Sequence, residues 1–272
     1  MSTADADIPF EADLAALAPP ILVASHLRSG THLTMDLIRR HCPPCKPRMR
    51  PLERLHDSYL SLDRFWSAAH NPVSQAGALR ILRKAARPLL KTHARPGFEE
   101  VAPEHAPFVR AIVRRAVPIA CVRDGRKVMC SQYAWAKSFM GDARGTFAEF
   151  LRQPSPDGLT RPAAWARHVN QWADAEGVLV VKFEDTVAEP IATVRRIAQH
   201  AGLDVRPREP ALPRPIMSRW QSALARALGR IESTNIHSGG ETPMKPAEAF
   251  TPDDNALFDR EAGDAMARLG YA

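Results

Sequence analysis

Nothing in these 272 residues comes near the run of about 18 apolar side chains that a membrane-crossing helix needs. Met1 to Phe10 is acidic and lacks the basic, apolar, small-residue order of a secretory leader. There is no block of five or more basic residues, although Lys and Arg outnumber Asp and Glu by 37 to 30. The formal net charge of +7 is spread over single and paired Arg residues, which argues against a nucleic-acid tail and leaves a small polyanion as a suitable ligand. Cysteine is scarce: Cys42, Cys45, Cys121 and Cys130 are the four. Cys42-Pro43-Pro44-Cys45 has C-x-x-C spacing, with His41 beside it and His56 downstream, but no second pair at zinc-finger spacing follows. Reduced, buried thiols and no metal are expected. Repeats and low-complexity segments are absent too. These absences predict a soluble cytoplasmic protein that binds neither nucleic acid nor membrane.

What is present is ordinary globular composition, 45% hydrophobic and 25% charged, arranged around one stretch, Pro20 to Ile38. Ile21 to Ala24 is apolar, Ser25-His26-Leu27-Arg28-Ser29-Gly30-Thr31-His32 follows, and Leu33, Leu37 and Ile38 fall at helical spacing. That order predicts strand, tight loop and helix. Loop amides and first-turn amides of such a unit converge, so an anion belongs there. As a magnesium-nucleotide loop, G-x-x-x-x-G-K-[ST], the stretch fails: Ser25 and Gly30 hold the glycine positions, Thr31 replaces the lysine and His32 the hydroxyl. The cation lies inside the loop instead, as Arg28.

Arg28-Ser29-Gly30-Thr31-His32 resembles the 5'-phosphosulfate loop of the cytosolic-type sulfotransferases that use 3'-phosphoadenosine 5'-phosphosulfate (PAPS), in which Lys or Arg precedes Ser-Gly-Thr. Three further segments resemble that family in the same order. Lys91-Thr92-His93 ends a predicted strand and resembles the segment carrying the catalytic histidine. Arg123 and Ser131 have the R-x7-S spacing of the 3'-phosphate site. Val180-Val181-Lys182-Phe183-Glu184-Asp185, then Glu189-Pro190 and a helix, resembles the tyrosine-Glu-Asp segment, with Phe183 in the tyrosine's place.

The resemblance implies a P-loop-like α/β fold, a single domain over residues 1–272 whose central parallel sheet is flanked by helices. It implies PAPS as co-substrate, no metal, and a small-molecule acceptor. His93 would be the general base, with Arg28 and Lys91 as catalytic cations. Arg28, Ser29, Gly30, Thr31 and His32 would hold the 5'-phosphate, Arg123 and Ser131 the 3'-phosphate, and Phe183 would lie near the base. These residue types suit the chemistry: sulfuryl transfer needs alignment, stabilised charge on the bridging oxygen and a proton acceptor. An imidazole, with an unperturbed pKa of about 6.5, can take that proton near neutrality. Two departures stand out. Leu33 occupies the position where many members stack adenine on tryptophan, and Ile236-His237-Ser238-Gly239-Gly240 has no counterpart of the C-terminal Arg-Lys-Gly contact, for which Arg230 or Lys245 are substitutes.

Elsewhere, residues 1–17 should be poorly ordered or a short surface helix. The helix from Thr31 should stop near His41, ahead of Pro43 and Pro44. Residues 42–86 form a helical insertion, with helices at Ser58 to His70 and Val73 to Ala86, placed to wall an acceptor pocket. Further strands are expected at Arg87 to Ala94, Val117 to Val122 and Val178 to Phe183, the last capped by Glu184-Asp185. Helices are expected at Glu104 to Ala116, from Gly125 to about Met140, at Pro162 to Ala175, Ile191 to His200, Ser218 to Gly229 and Pro252 to Leu269, with a loop at Ser233 to Pro246. Trp165 and Trp172 should be core and His168 solvent-facing or structural; Tyr59, Phe65, Trp66, Phe139 and Phe147 line an acceptor site or belong to the core. Two rival functions remain at this point, a magnesium-dependent nucleotide kinase and a non-catalytic nucleotide-binding module, and self-association into a homodimer stays open.

Overall fold

A computed structural model describes residues 10–51, 53–67, 71–100, 103–140, 145–155, 157–213, 224, 227–228 and 243–271. Its described strands form one parallel sheet in the order β2-β3-β1-β4-β5, where β1 is Ile21–Ser25, β2 Leu60–Ser61, β3 Leu89–Thr92, β4 Val117–Val122 and β5 Leu179–Lys182. A central parallel strand is covered on both faces and so reads as an unbroken apolar run, which is why Ile21 to Ala24 carries no polar residue.

Side chains along β1 point alternately to opposite faces. Ile21 and Val23 pack with Met35, Leu37 and Ile38 of α2 (Thr31–His41) and with Val194 and Ile197 of α9 (Pro190–Ala201). Leu22 and Ala24 face Leu79 and Leu82 of α3 (Gln75–Leu82), Phe108 and Ile112 of α4 (Ala106–Val113) and Trp172 of α7 (Arg161–Asp174). A further cluster past the end of β4 joins α5 (Gly125–Trp135), α6 (Phe147–Arg152), α7 and the C-terminal helix Pro252–Arg268 around Trp165 and Phe258. A Cβ on Gly125 would lie 2.7 Å from Phe258 Cζ and 2.9 Å from Trp165, so only glycine lets α5 start so close to that cluster.

Register decides where the site is. Ala24 pairs with Thr92 and Ser25 with Cys121, so the loop after β1, His93 after β3 and Arg123 after β4 leave the sheet along one rim. The chain runs from β1 toward β3 on one side and toward β4 and β5 on the other, which opens a crevice at that carboxyl rim.

Several local expectations change. The described part of the helix expected at Ser58 to His70, up to residue 67, is not an amphipathic helix. Leu55–Ser58 and Leu62–Phe65 are 3-10 turns on either side of β2, because Leu60 and Ser61 pair with Leu90 and Lys91 on the open edge of β3. Pairing with an available edge outweighs helical spacing in so short a segment. The 42–86 insertion is therefore only partly helical. Glu184 and Asp185 do not cap β5 but lie in the first turn of α8 (Phe183–Ala188), which starts directly after the strand. His168 is buried, not solvent-facing, whereas Trp165 and Trp172 are core as expected. Tyr59, Phe65 and Phe147 are core as well. A five-residue helix, α1 (Glu11–Ala15), occupies part of the N-terminal segment. Residues 1–9, most of Ser218 to Gly229, Arg230 and the Ile236 to Gly240 stretch lie outside the described residues, as does the Phe139 side chain.

Candidate active site

At the end of β1 the loop turns sharply, with Ser29 N donating to His26 O at 3.2 Å. Arg28 and Gly30 both take left-handed backbone, at φ 70° and 95°. For arginine that conformation is uncommon and costs energy, so the surrounding contacts hold it. Gly30 is the N-cap of α2, no side chain caps the helix, and no acidic residue sits in its first turn. The start of α2 accordingly presents its N-terminal end to an anion at the loop.

Two guanidiniums flank those amides. Arg28 Nε donates to Ser131 Oγ on α5 at 3.2 Å, and Arg123 Nη1 donates to the Arg28 carbonyl at 3.1 Å. Arg123 also lies over the Phe183 ring, 4.5 Å from its centroid, and that ring packs against Gly30. Arg28, Gly30, Arg123, Ser131 and Phe183, scattered over the sequence, thus form one contact network. Partial burial lowers the pKa of both arginines; for Arg28 the charge of Arg123 adds to it, while Glu184 opposes it for Arg123. Cations crowded in this way favour an incoming dianion. Arg123 Nε and Ser29 Oγ are buried without a partner here, which suits a phosphate-bearing ligand that would accept from them.

His93 follows β3. Its Nδ1 lies 2.9 Å from the Ser25 carbonyl, an oxygen that can only accept, so Nδ1 carries the proton and Nε2 the lone pair. Burial, and then the charge of Lys91, hold the His93 pKa well below 6.5, and the ring is neutral at physiological pH. Lys91 is buried; burial lowers its pKa and Asp63 opposes the fall. Thr31 Oγ1 and Ser25 Oγ are hydrogen-bonded to one another, which links the loop to the strand beneath it. His32 meets Tyr59 edge-on at 5.7 Å, and burial followed by Lys91, Arg39, His56 and Arg28 pushes its pKa down to about 3.

The loop residues 28–32, Lys91, His93, Arg123, Ser131 and Phe183 therefore lie on this rim, and their immediate surroundings include residues to which the sequence assigned no part in the site. Gln132 Nε2 donates to His26 Nδ1 at 3.3 Å; burial, and after it Arg161, pull the His26 pKa down to about 4. The His168 ring meets His26 edge-on at 5.3 Å. Burial and then His26 hold the His168 pKa well below its usual value. Trp172 Nε1 donates to the Ala94 carbonyl at 3.0 Å and steadies the turn after His93. Asp63 accepts from Thr92 and from the His93 amide. The i, i+4 spacing of His168 and Trp172 on one helix was a usable signal for burial of His168. For Asp63 there was none, because its role needs β2 to pair with β3.

Among the described residues there is no group of three or more metal-ligating side chains and no helix long and apolar enough to cross a membrane. No curated protein matches the sequence. Solved structures match in fold. Mouse sulfotransferase SULT7A1, crystallised with PAP, aligns at 16% identity with a TM-score of 0.54, covering 96% of this chain and 90% of that one. Retinol dehydratase, crystallised with retinol and PAP, aligns at 16% identity and a TM-score of 0.51 over 95% of this chain and 86% of that one. Residues 19–207, more than half of the chain and the part that holds the whole rim, match the model of the sulfotransferase family, and the chain belongs to that family.

Proposed function

We propose that this protein transfers a sulfuryl group from PAPS to a hydroxyl of a small molecule, with His93 as general base. The observation that carries the reading is the His93 imidazole: its Nδ1 proton is committed to the Ser25 carbonyl, which leaves Nε2 as the lone-pair nitrogen, and it stands one strand away from the arginine-flanked loop whose helix no side chain caps. A nucleotide-binding module has no use for a neutral imidazole held in one tautomer at that place. A magnesium kinase needs the lysine and hydroxyl that Thr31 and His32 replace. The bound PAP of the two fold relatives, which is PAPS without its sulfuryl group, supports the choice of donor.

In this reading PAPS supplies the sulfuryl group. The amides of the α2 first turn, Thr31, Arg28 and Lys91 bind the 5'-phosphate, and Arg28 and Lys91 stabilise the charge that grows on it as the group leaves. Arg123 and Ser131 take the 3'-phosphate; Ser131 also keeps Arg28 in place through the Nε hydrogen bond. Phe183 presents an aromatic face without a phenolic hydroxyl. His93 Nε2 accepts the proton of the acceptor hydroxyl.

Calorimetric titration without magnesium tests the assignment. Adenosine 3',5'-bisphosphate should bind at least tenfold more tightly than AMP or ATP. Acceptors are then screened with PAPS, and His93→Ala should lower kcat by about 10²–10⁴ with bisphosphate affinity retained. Preference for ATP, or no nucleotide binding, would overturn the reading.

A further inference from the structure

Asp63 is a carboxylate that the account of sulfuryl transfer above does not use, yet it is among the most thoroughly engaged polar groups in the molecule. It lies in the Leu62–Phe65 turn directly after β2 and is only 3% exposed. Oδ1 accepts from Thr92 Oγ1 at 2.9 Å and from the His93 amide at 3.2 Å. Oδ2 accepts from the same amide at 3.2 Å and from Ser61 Oγ at 3.3 Å. Burying a carboxylate is costly unless strong donors surround it, and here the donors converge on one backbone unit, Thr92-His93. Asp63 also favours the charged form of buried Lys91 against desolvation.

Pairing of β2 with β3 delivers the carboxylate to this point, since Ser61 is opposite Lys91. Nothing about ending a strand requires it. The Ala94 amide already bonds to Thr92 Oγ1 at 3.1 Å, so the turn has a hydroxyl cap of its own. What the carboxylate adds is a clamp on the main chain of His93 from the side opposite Ser25. The ring is thereby held between a fixed amide and a fixed carbonyl.

We propose that Asp63 is the positioning residue of His93: by gripping the His93 amide and the Thr92 hydroxyl it keeps the imidazole on the Ser25 carbonyl, so that Nε2 faces the acceptor. The proposal rests on the reading of His93 as general base for its catalytic consequence, but not for its geometry. Misplacing a reacting group by about 1 Å can cost about a hundredfold in rate.

The test uses Asp63→Asn, which keeps the size but removes the charge and one acceptor oxygen, with Thr92→Val as the milder second variant. The full-length protein is labelled with 15N, and the His93 ring nitrogens, assigned by their loss in His93→Gln, are followed by long-range proton–nitrogen correlation. Transfer from PAPS to 2-naphthol, a simple phenol probe, is measured in parallel with adenosine 3',5'-bisphosphate affinity. In the wild type the ring should show one tautomer, protonated at Nδ1. In Asp63→Asn the two nitrogen signals should average toward each other and kcat should fall ten- to a hundredfold, with bisphosphate affinity and KM for PAPS within about threefold; Thr92→Val should do the same to a smaller degree. An unchanged ring spectrum in a folded Asp63→Asn protein overturns the proposal, and where that variant does not fold, an unchanged spectrum in Thr92→Val does so. A lost tautomer with unchanged turnover leaves the clamp standing and removes His93 as the base.

Discussion

Gly30→Ala separates the backbone cost of the anion loop from the packing around it. Gly30 sits at φ 95°, and an added Cβ would overlap the Phe183 ring, meeting Cε2 at 3.2 Å. Left-handed backbone costs a residue with a side chain about 1–2 kcal/mol. Forcing an aromatic ring aside adds about 1–3 kcal/mol. The substitution should therefore lower the free energy of unfolding by about 2–5 kcal/mol. Phe183 also carries the Arg123 guanidinium 4.5 Å from its centroid, so a displaced ring displaces Arg123, and bisphosphate affinity should fall by at least tenfold. In Gly30→Ala/Phe183→Ala the overlap is gone and only the backbone cost stays. Urea unfolding of the wild type, both single variants and the double variant closes the cycle. The double variant should be more stable than the sum of the singles allows by about 1–3 kcal/mol. A coupling of zero, or a Gly30→Ala protein as stable as the wild type, would refute the placement of Phe183 against the loop.

Acid should destabilise the fold early. The pKa of His26 is down at about 4 and that of His32 at about 3, with His93 and His168 well below 6.5, all chiefly through burial. Each stays neutral in the fold while its unfolded counterpart, with a pKa near 6.5, takes up a proton, so stability is full above that pH and is lost as pH falls toward the folded values. Each such group contributes a slope of about 1.4 kcal/mol per pH unit, and urea midpoints should drop steeply between about pH 6 and 5; a flat profile there would contradict the burial of these rings. The thiols should be inert in the native state: burial pushes Cys42 and Cys130 up to about 11 and Cys45 and Cys121 up to about 12. Ellman's reagent at pH 8 should leave all four unmodified until urea is added, and rapid native labelling at Cys42 or Cys45 would count against a merely structural pair.

The half of the rim proposed to face the nucleotide was legible in its layout because that layout is local. A strand, a loop with Arg28 and Gly30, and the start of a helix are contiguous, and neighbours in sequence have little freedom to be elsewhere. Arg123 and Ser131 are similarly close, on a strand end and the helix that follows. Phe183 was named from the resemblance of its segment and expected as the last residue of a strand, whereas it is the first residue of α8. The base side was less legible. His93 could be named from its segment, but not its tautomer, because the Ser25 carbonyl that sets it is 68 residues away in the chain. Asp63 fell inside the helix expected at Ser58 to His70, because the pairing of β2 with β3 that places it leaves no local pattern. His168, expected as either solvent-facing or structural, is buried against His26 by the packing of α7, which decides between the two.

By itself, then, the sequence determined the strand, loop and helix around Arg28 and Gly30 and the strands β1, β3, β4 and β5, since short-range sterics and spacing decide these, while the groups proposed to bind phosphate and accept a proton were named through the family resemblance of their segments. Tertiary structure alone decided that Arg28 leans on Ser131 across 103 residues, that Phe183 fills the space beside Gly30, and that a carboxylate from the turn after an edge strand grips the histidine amide. Such contacts depend on which strand docks on which edge, and that is settled by the collective burial of residues distant in the chain, which no local pattern records.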